Sequence, residues 1–251
     1  MCGRDAPMIE AVLFDLGDTL RHLHVPSPRA LIRTAAVTFH QSLLNQGNHL
    51  PDFPAYYRHL RYHMICEFVR SRLVRRELRV VWMMQRAHRR LGISIASDEM
   101  VDLLTECLQV VRRFSRTEPD AIPSLTILRN SGYRLGLVSN TVFPAAGLDA
   151  DLEDEGLLPF FPVRVYSSDV GYMKPDPRIF RIALKRVGVT PHRAMFVGDR
   201  LDKDVRGAGR LGMRTVLIVR EGNKPRGRGR PDHVVRSLAE VPDILQLASH
   251  R

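Results

Sequence analysis

The sequence predicts an α/β protein in which a parallel sheet carries helices on both faces and an inserted bundle of about four helices follows the first strand. Three observations predict it. First, five short apolar, β-rich blocks recur along the chain, at residues 11–16, 133–139, 163–167, 194–199 and 215–219. Runs this short and this continuously apolar suit strands buried on both sides. Second, segments of helix length separate the last four blocks, an alternation that suits parallel pairing through right-handed crossovers. Third, the stretch 21–120 shows helical periodicity and few strand signals.

Taken in order, the first block reads A-V-L-F-D-L and ends on Asp15, with Gly17-Asp18-Thr19 behind it. In the helical stretch, Ala30, Leu31, Ile32, Ala35, Ala36, Val37 and Phe39 repeat with helical spacing, as do Val101, Leu103, Leu104, Leu108, Val110 and Val111. Breaks fall near 48–54 and 92–97, and Ser97 followed by Asp98 and Glu99 reads as a helix start. These marks place the core at 1–20 plus 118–251 and the insertion at 21–117. The chain is expected to enter the insertion near 20–24 and to leave it near 117–121. A final helix is expected over 234–247. Asp15, Ser139 and Asp199 fall at the carboxyl ends of three strands, where open α/β sheets form their ligand crevice.

Composition excludes several classes. With 251 residues, 44% hydrophobic and 26% charged, the chain is neither membrane-embedded nor of low complexity. No run approaches the length of a membrane span, and the start lacks an apolar signal-peptide stretch, so a cytoplasmic location is expected. Cys2, Cys66 and Cys107 have no metal-binding spacing and read as free thiols. The formal charge of +11 invites an acidic partner: nucleic acid, an anionic membrane surface or a phosphorylated small molecule. Lysine is rare, found at Lys174, Lys185, Lys203 and Lys224, so arginine is the default base.

Four short signals carry the chemistry: F-D-L-G-D-T-L at 14–20, L-V-S-N at 137–140, G-Y-M-K-P-D-P at 171–177 and V-G-D-R-L-D-K-D-V at 197–205. In this order and spacing the chain resembles the haloacid dehalogenase superfamily of hydrolases, in its branch of phosphatases with a helical cap after the first strand. The resemblance spans residue 11 to the C-terminus and implies a Rossmann-like core. It also implies an Mg²⁺-dependent phosphohydrolase of a small phosphorylated metabolite, working through an aspartyl-phosphate on Asp15. A strand-end carboxylate can attack phosphorus and divide one hard displacement into two easier ones. Attack on an anionic phosphate needs charge neutralisation, which oxygen ligands provide by holding Mg²⁺. By resemblance those ligands are Asp15, Asp199, Asp204 and the Gly17 carbonyl. Ser139 and Asn140 are expected to bind phosphoryl oxygens, and Lys174 to pair with Asp15 and the phosphate as a compact cation.

One departure from the family pattern bears on the activity. Most phosphatases of the superfamily carry a second aspartate two residues after the nucleophile, as general acid and base; here that position is Gly17. Losing such a group costs about 10²- to 10⁴-fold in rate. Asp18 is a candidate substitute, with a turn-stabilising role as the alternative. Without a substitute, substrates with good leaving groups are favoured, or the chain is a catalytically weak binding or regulatory protein. A metal-free 2-haloacid dehalogenase ranks lower, because Asp199 and Asp204 would crowd a carboxylate site with no metal.

The charge surplus divides between two tracts. Residues 21–120 hold 16 arginines against nine acids, and residues 220–230 hold five bases against one acid. The arginines at 70–79 and at 86, 89 and 90 read mainly as a solvated face. The tract 220–230 reads as a flexible surface loop. Neither tract has the interleaved aromatics of a base-stacking surface, so nucleic acid is not the expected partner. His22 and His24 stand near the hinge and read as structural. The sequence leaves both monomer and homodimer open.

Overall fold

The structure is a computed structural model that describes residues 8–23, 28–74, 80–220 and 224–249. It begins with β1 (Ala11–Phe14), β2 (Arg21–Leu23), α1 (Pro28–Asn45), α2 (Phe53–Val74), α3 (Val80–Arg89), α4 (Ser97–Arg112) and β3 (Ser115–Thr117). It continues with α5 (Ala121–Asn130), β4 (Arg134–Ser139), α6 (Ala145–Asp154), β5 (Val163–Tyr166), α7 (Ser167–Val170) and α8 (Pro177–Val187). The last elements are β6 (Ala194–Gly198), α9 (Arg206–Gly209), β7 (Arg214–Ile218), β8 (His233–Val235) and α10 (Glu240–Ser249).

β1 is buried at all four positions and pairs in parallel with β4 on one side and β6 on the other. The sheet has six strands in the order β5-β4-β1-β6-β7-β8, with every pairing parallel. The two-residue alternation of a strand divides the core between its faces. Val12 and Phe14 pack with α5, α6 and α10, whereas Ala11 and Leu13 pack with α8 and α9. Both faces are therefore covered, as the unbroken apolar runs predict. Each fully buried phenylalanine or leucine in these layers is worth about 1.5–3 kcal/mol.

The helices α1–α4 keep a separate apolar cluster of their own, centred on Phe39, Leu43, Tyr56, Met100 and Leu103. The antiparallel ribbon β2–β3, with Arg21 opposite Thr117 and Leu23 opposite Ser115, brackets them in the chain. No sequence signal marks this ribbon, because strands of three residues, Arg-His-Leu and Ser-Arg-Thr, are too short and too polar to show a periodicity.

Residues 233–235 correct the expectation of a helix from 234. His233–Val235 adds a sixth strand beside β7, and α10 starts only at Glu240. The reason is local. The Glu240 carboxylate accepts the N–H groups of Arg236 and Ser237, and Ser237 Oγ accepts the Ala239 N–H, so the chain cannot turn helical before Ser237.

Candidate active site

Parallel register sets the site. Phe14 is level with Leu137 of β4 and Val197 of β6, so Asp15, Ser139 and Asp199 emerge along one sheet edge. The Asp15 N–H donates to Val197 O at 2.9 Å, which extends the ladder one residue past the strand and fixes the Asp15 main chain. Lys174 arrives from a different direction. Asp176 caps α8 by accepting the Arg178 N–H, with Pro177 in the first helical turn, so Lys174 is delivered just ahead of a fixed helix start. A pocket of about 300 Å³ results, lined by Asp15, Gly17, Asp18, Ser139, Asn140, Lys174, Asp199 and Asp204. All eight residues singled out in the sequence thus meet in one cavity.

The centre of the pocket is a buried ion cluster. Lys174 Nζ lies 2.5 Å from Asp15 Oδ1 and 2.7 Å from Asp204 Oδ1. The Arg200 N–H donates to Asp204 Oδ2 at 3.0 Å. Asp204 approaches the β6 terminus so closely that a Cβ on Gly198 would stand 2.5 Å from its carboxyl carbon, so only glycine fits before Asp199. One carboxylate oxygen from each of Asp15, Asp199 and Asp204 falls within a 4.8 Å span.

Burial and charge crowding together perturb Asp15, Asp199 and Lys174. Burial, then the neighbouring Asp204, push the Asp15 carboxyl up to about 6 even though Lys174 pulls the other way. Asp199 rises to about 7, through burial first and then through Asp15, Asp204 and Asp18. Burial works against the Lys174 ammonium, but Asp15 and Asp204 outweigh it and hold its pKa above the ordinary lysine value. Three acids against one lysine leave an excess of negative charge, which a cation between the acids would relieve. The donor set is all oxygen, which suits Mg²⁺.

Two residues serve in ways the sequence did not indicate. Asn140, expected to bind phosphoryl oxygens, spends its side chain on Lys174: Oδ1 accepts the Lys174 N–H at 2.8 Å and Nδ2 donates to Lys174 O at 3.0 Å. It braces the lysine loop against β4. Asp18 adopts a left-handed backbone, φ 56°, and its carboxylate pairs with His22 Nδ1 at 2.9 Å and with Arg226 Nη1 at 3.5 Å. Both Asp18 oxygens are therefore engaged at the pocket wall. At Gly17 an added Cβ would meet nothing within 4 Å, so the space for a second acid is open. Ser139 is buried at the end of β4, and the following loop is held by Ser167, whose Oγ accepts the Thr141 N–H and donates to Thr141 O. His24 and residues 75–79 lie outside the described residues.

Sequence reasoning missed several arginines at this site. Arg21 lines the pocket and bonds Asp151 and Glu155 of α6 and its C-terminus, while Arg112 at the end of α4 bonds Asp151 and Asp154. Together they tie β2 and α4 to the sheet layer. The 220–230 tract is not free along its described part. Arg220 donates to Thr19 O and pairs with Glu118, and Arg226 O accepts the Leu201 N–H. Nothing in the local pattern distinguishes these arginines from the many exposed ones.

The family model for haloacid dehalogenase-like hydrolases matches residues 9–212. The chain belongs to that family. A glyceraldehyde 3-phosphate phosphatase of Methanopyrus kandleri is 41% identical over 132 residues, which cover 51% of this chain and 56% of that protein. The chain spans about half the length of the curated relatives it matches. Among solved structures, an HAD phosphatase from Thermococcus onnurineus is 28% identical, covers 94% of this chain and 98% of its own, and superposes with a TM-score of 0.62. A 2-haloacid dehalogenase from Pseudomonas syringae pv. Tomato is 27% identical, covers 96% and 99%, and gives 0.64. Among the described residues no helix is long and apolar enough to cross a membrane.

Proposed function

We propose that this hydrolase is an Mg²⁺-dependent phosphatase of small phosphorylated molecules. The observation that carries the reading is the meeting of Asp15, Lys174, Asp199 and Asp204 in one buried cluster at the sheet edge. Asp15 attacks phosphorus, the bond from phosphorus to the alcohol oxygen breaks, and an aspartyl-phosphate forms. Water then attacks that phosphorus, releasing orthophosphate and restoring the Asp15 carboxylate. Lys174 holds the attacking carboxylate in place and balances charge on the phosphoryl oxygens, and the Ser139 hydroxyl donates to one of them. Asp15, Asp199, Asp204 and the Gly17 carbonyl would hold Mg²⁺, which neutralises charge on the transferring group. The helices α1–α4, over 21–117, act as a cap that excludes bulk water. Because Asp18 is committed to His22 and Arg226, the alcohol leaves without a dedicated acid, and aryl or acyl phosphates are the better substrates.

The likeness to a 2-haloacid dehalogenase supplies the second reading. One assay separates the two: an aryl phosphate and 2-chloropropionate are each offered with Mg²⁺ and with chelator, to the wild type and to Asp15→Asn. Metal-dependent phosphate release that falls by at least ~10³-fold in Asp15→Asn is the expected result. Chloride release without metal would establish the dehalogenase instead. Activity in neither assay would leave a binding protein on a hydrolase fold.

A further inference from the structure

The helices α1–α4 hold a second cavity, of about 260 Å³, that the chemistry above does not use. Its walls include Ala36, Phe39, Leu60, Met64, Met84 and Leu104, and its lining is almost wholly apolar. The polar members of the lining are Tyr57, Arg61 and Cys107, and Arg61 lies over the Tyr57 ring at 5.7 Å with its charge toward solvent. Folded interiors are close-packed and keep few voids larger than a water molecule. An apolar void of about 150 Å³ already accepts a benzene ring, so this one has room for a hydrocarbon group of ligand size. Methionines on its walls make the shape adaptable.

Its position supplies the occupant. Val111 and Phe143 line both this cavity and the pocket that holds Asp15. On α4, Leu104, Cys107 and Val111 follow one another at helical spacing along the cavity, and Leu108 with Val111 face the Asp15 pocket. Phe143 sits on the loop directly after Ser139-Asn140 and packs against both the sheet core and the helical core. The Asp15 pocket is therefore charged at its floor and apolar where it meets the helices, through Leu108, Val111, Phe143 and Leu148.

We propose that the substrate is an aryl or acyl phosphate with an apolar body, its phosphoryl group at Asp15 and its hydrocarbon part past Val111 and Phe143 in the cavity between α1–α4. The proposal rests on the phosphatase reading for the phosphoryl end, and its test is chosen to stand apart from turnover. Straight-chain alkylphosphonates from ethyl to octyl share one headgroup and cannot be hydrolysed at the carbon–phosphorus bond by the route above. Their dissociation constants are measured by calorimetry with Mg²⁺ present. The expected result is a fall of about fourfold per added methylene until the cavity is full, which is the value of burying one methylene. Filling the cavity from either wall, with Ala36→Phe on α1 or Leu104→Phe on α4, should collapse the octyl-to-ethyl ratio to near one. A wild-type series that is flat from ethyl to octyl overturns the proposal without any variant. A chain-length gain that survives both fillings overturns it too. Tight octyl binding in a protein that hydrolyses no phosphate ester would uphold the cavity and sink the phosphatase reading, whereas brisk aryl phosphate hydrolysis with a flat series would do the reverse.

Discussion

The sheet edge and the helical segment bury polar groups in opposite ways. At the sheet edge the buried groups are charged: Lys174 sits between Asp15 and Asp204, and Asp199 stands close by. Within α1–α4 they are neutral. The Tyr56 hydroxyl meets His88 Nε2 at 2.9 Å, and the His88 Nδ1 side bonds Met84 O at 2.7 Å, while burial lowers the His88 pKa and keeps the ring uncharged. The ion pairs described within α1–α4, those of Arg70 and Arg86 with Glu67, are long at 3.6 and 3.5 Å, and the short pair of Arg112 with Asp151 ties α4 outward to α6. Charge held in a low dielectric suits reactive chemistry, and neutral polar bonds between helices hold a packed core together. The two regions should therefore fail differently when broken.

Lys174→Met gives the largest effect. It removes the cation from two buried carboxylates, so turnover should fall by ~10³-fold or more and stability by about 3 kcal/mol. For a chain of this size that is a melting point lower by roughly 6–12 °C. A variant that melts like the wild type would show that the cluster is not held in low dielectric, and the contrast between the regions would dissolve.

Gly17→Asp works on the same floor in the opposite direction. The backbone there is not left-handed and an added Cβ meets no atom within 4 Å, unlike at Gly198, where the Asp204 carboxyl fills the space. A general acid restored at this position should raise kcat/KM on alkyl phosphates by about 10²-fold and leave aryl phosphates nearly unchanged. The check is the slope of rate against leaving-group pKa. A steep slope that persists in the variant would place the missing acid elsewhere.

Tyr56→Phe tests the helical side. It leaves His88 Nε2 buried without its partner and should cost about 1–2 kcal/mol, read by denaturant unfolding, with aryl phosphate turnover changed by less than about twofold. His88 also fixes a pH trend. The unfolded chain takes up a proton near the ordinary value of 6.5, whereas the folded ring refuses it until lower pH. The His88 contribution to stability should therefore fall as pH drops below about 6.5, against the opposite trend from the raised Asp15 and Asp199, and it is read as the difference between the wild-type and His88→Gln profiles. A difference that stays flat between about pH 7 and 5 would contradict the buried neutral ring.

How legible each region was follows from the same contrast. That Asp15, Ser139 and Asp199 would meet at one sheet edge was readable because strand ends are marked by short apolar runs, whereas Lys174, in the loop ahead of α8, and Asp204, in a helical turn after β6, were picked out only by the spacing of the motifs that carry the family resemblance. Asn140 was readable as a site residue but not in its role, since only the fold shows that its amide clasps the Lys174 main chain. The ribbon β2–β3 and strand β8 were not readable, being three residues each and defined by their partners. The cavity between α1–α4 left no mark at all, because Ala36, Leu60 and Met84 are the same residues a filled core would use. Ser237 and Glu240 did carry a readable helix-start signal, which places the beginning of α10 better than apolar periodicity does.

Arg226→Ala is the smallest expected effect and sharpens the comparison most finely, because this arginine lines the Asp15 pocket yet stands outside its buried charge cluster. Its carbonyl is held by the Leu201 N–H, which any residue would provide, while its guanidinium is 63% exposed and reaches Asp18 at 3.5 Å. An exposed pair at that distance contributes about 0–1 kcal/mol, so stability should move by less than about 0.5 kcal/mol and aryl phosphate turnover by less than threefold. The variant also frees one Asp18 oxygen. If Asp18 were a latent acid restrained by Arg226, turnover of alkyl phosphates would rise on its release, and the double variant Arg226→Ala with Asp18→Asn would remove the gain. With His22 still bound to the other oxygen and the Asp18 backbone fixed in the left-handed turn, no such gain is expected. The alkyl-to-aryl ratio should thus stay at its wild-type value, which assigns Asp18 to the turn and leaves the open space at Gly17 as the reason for leaving-group selectivity.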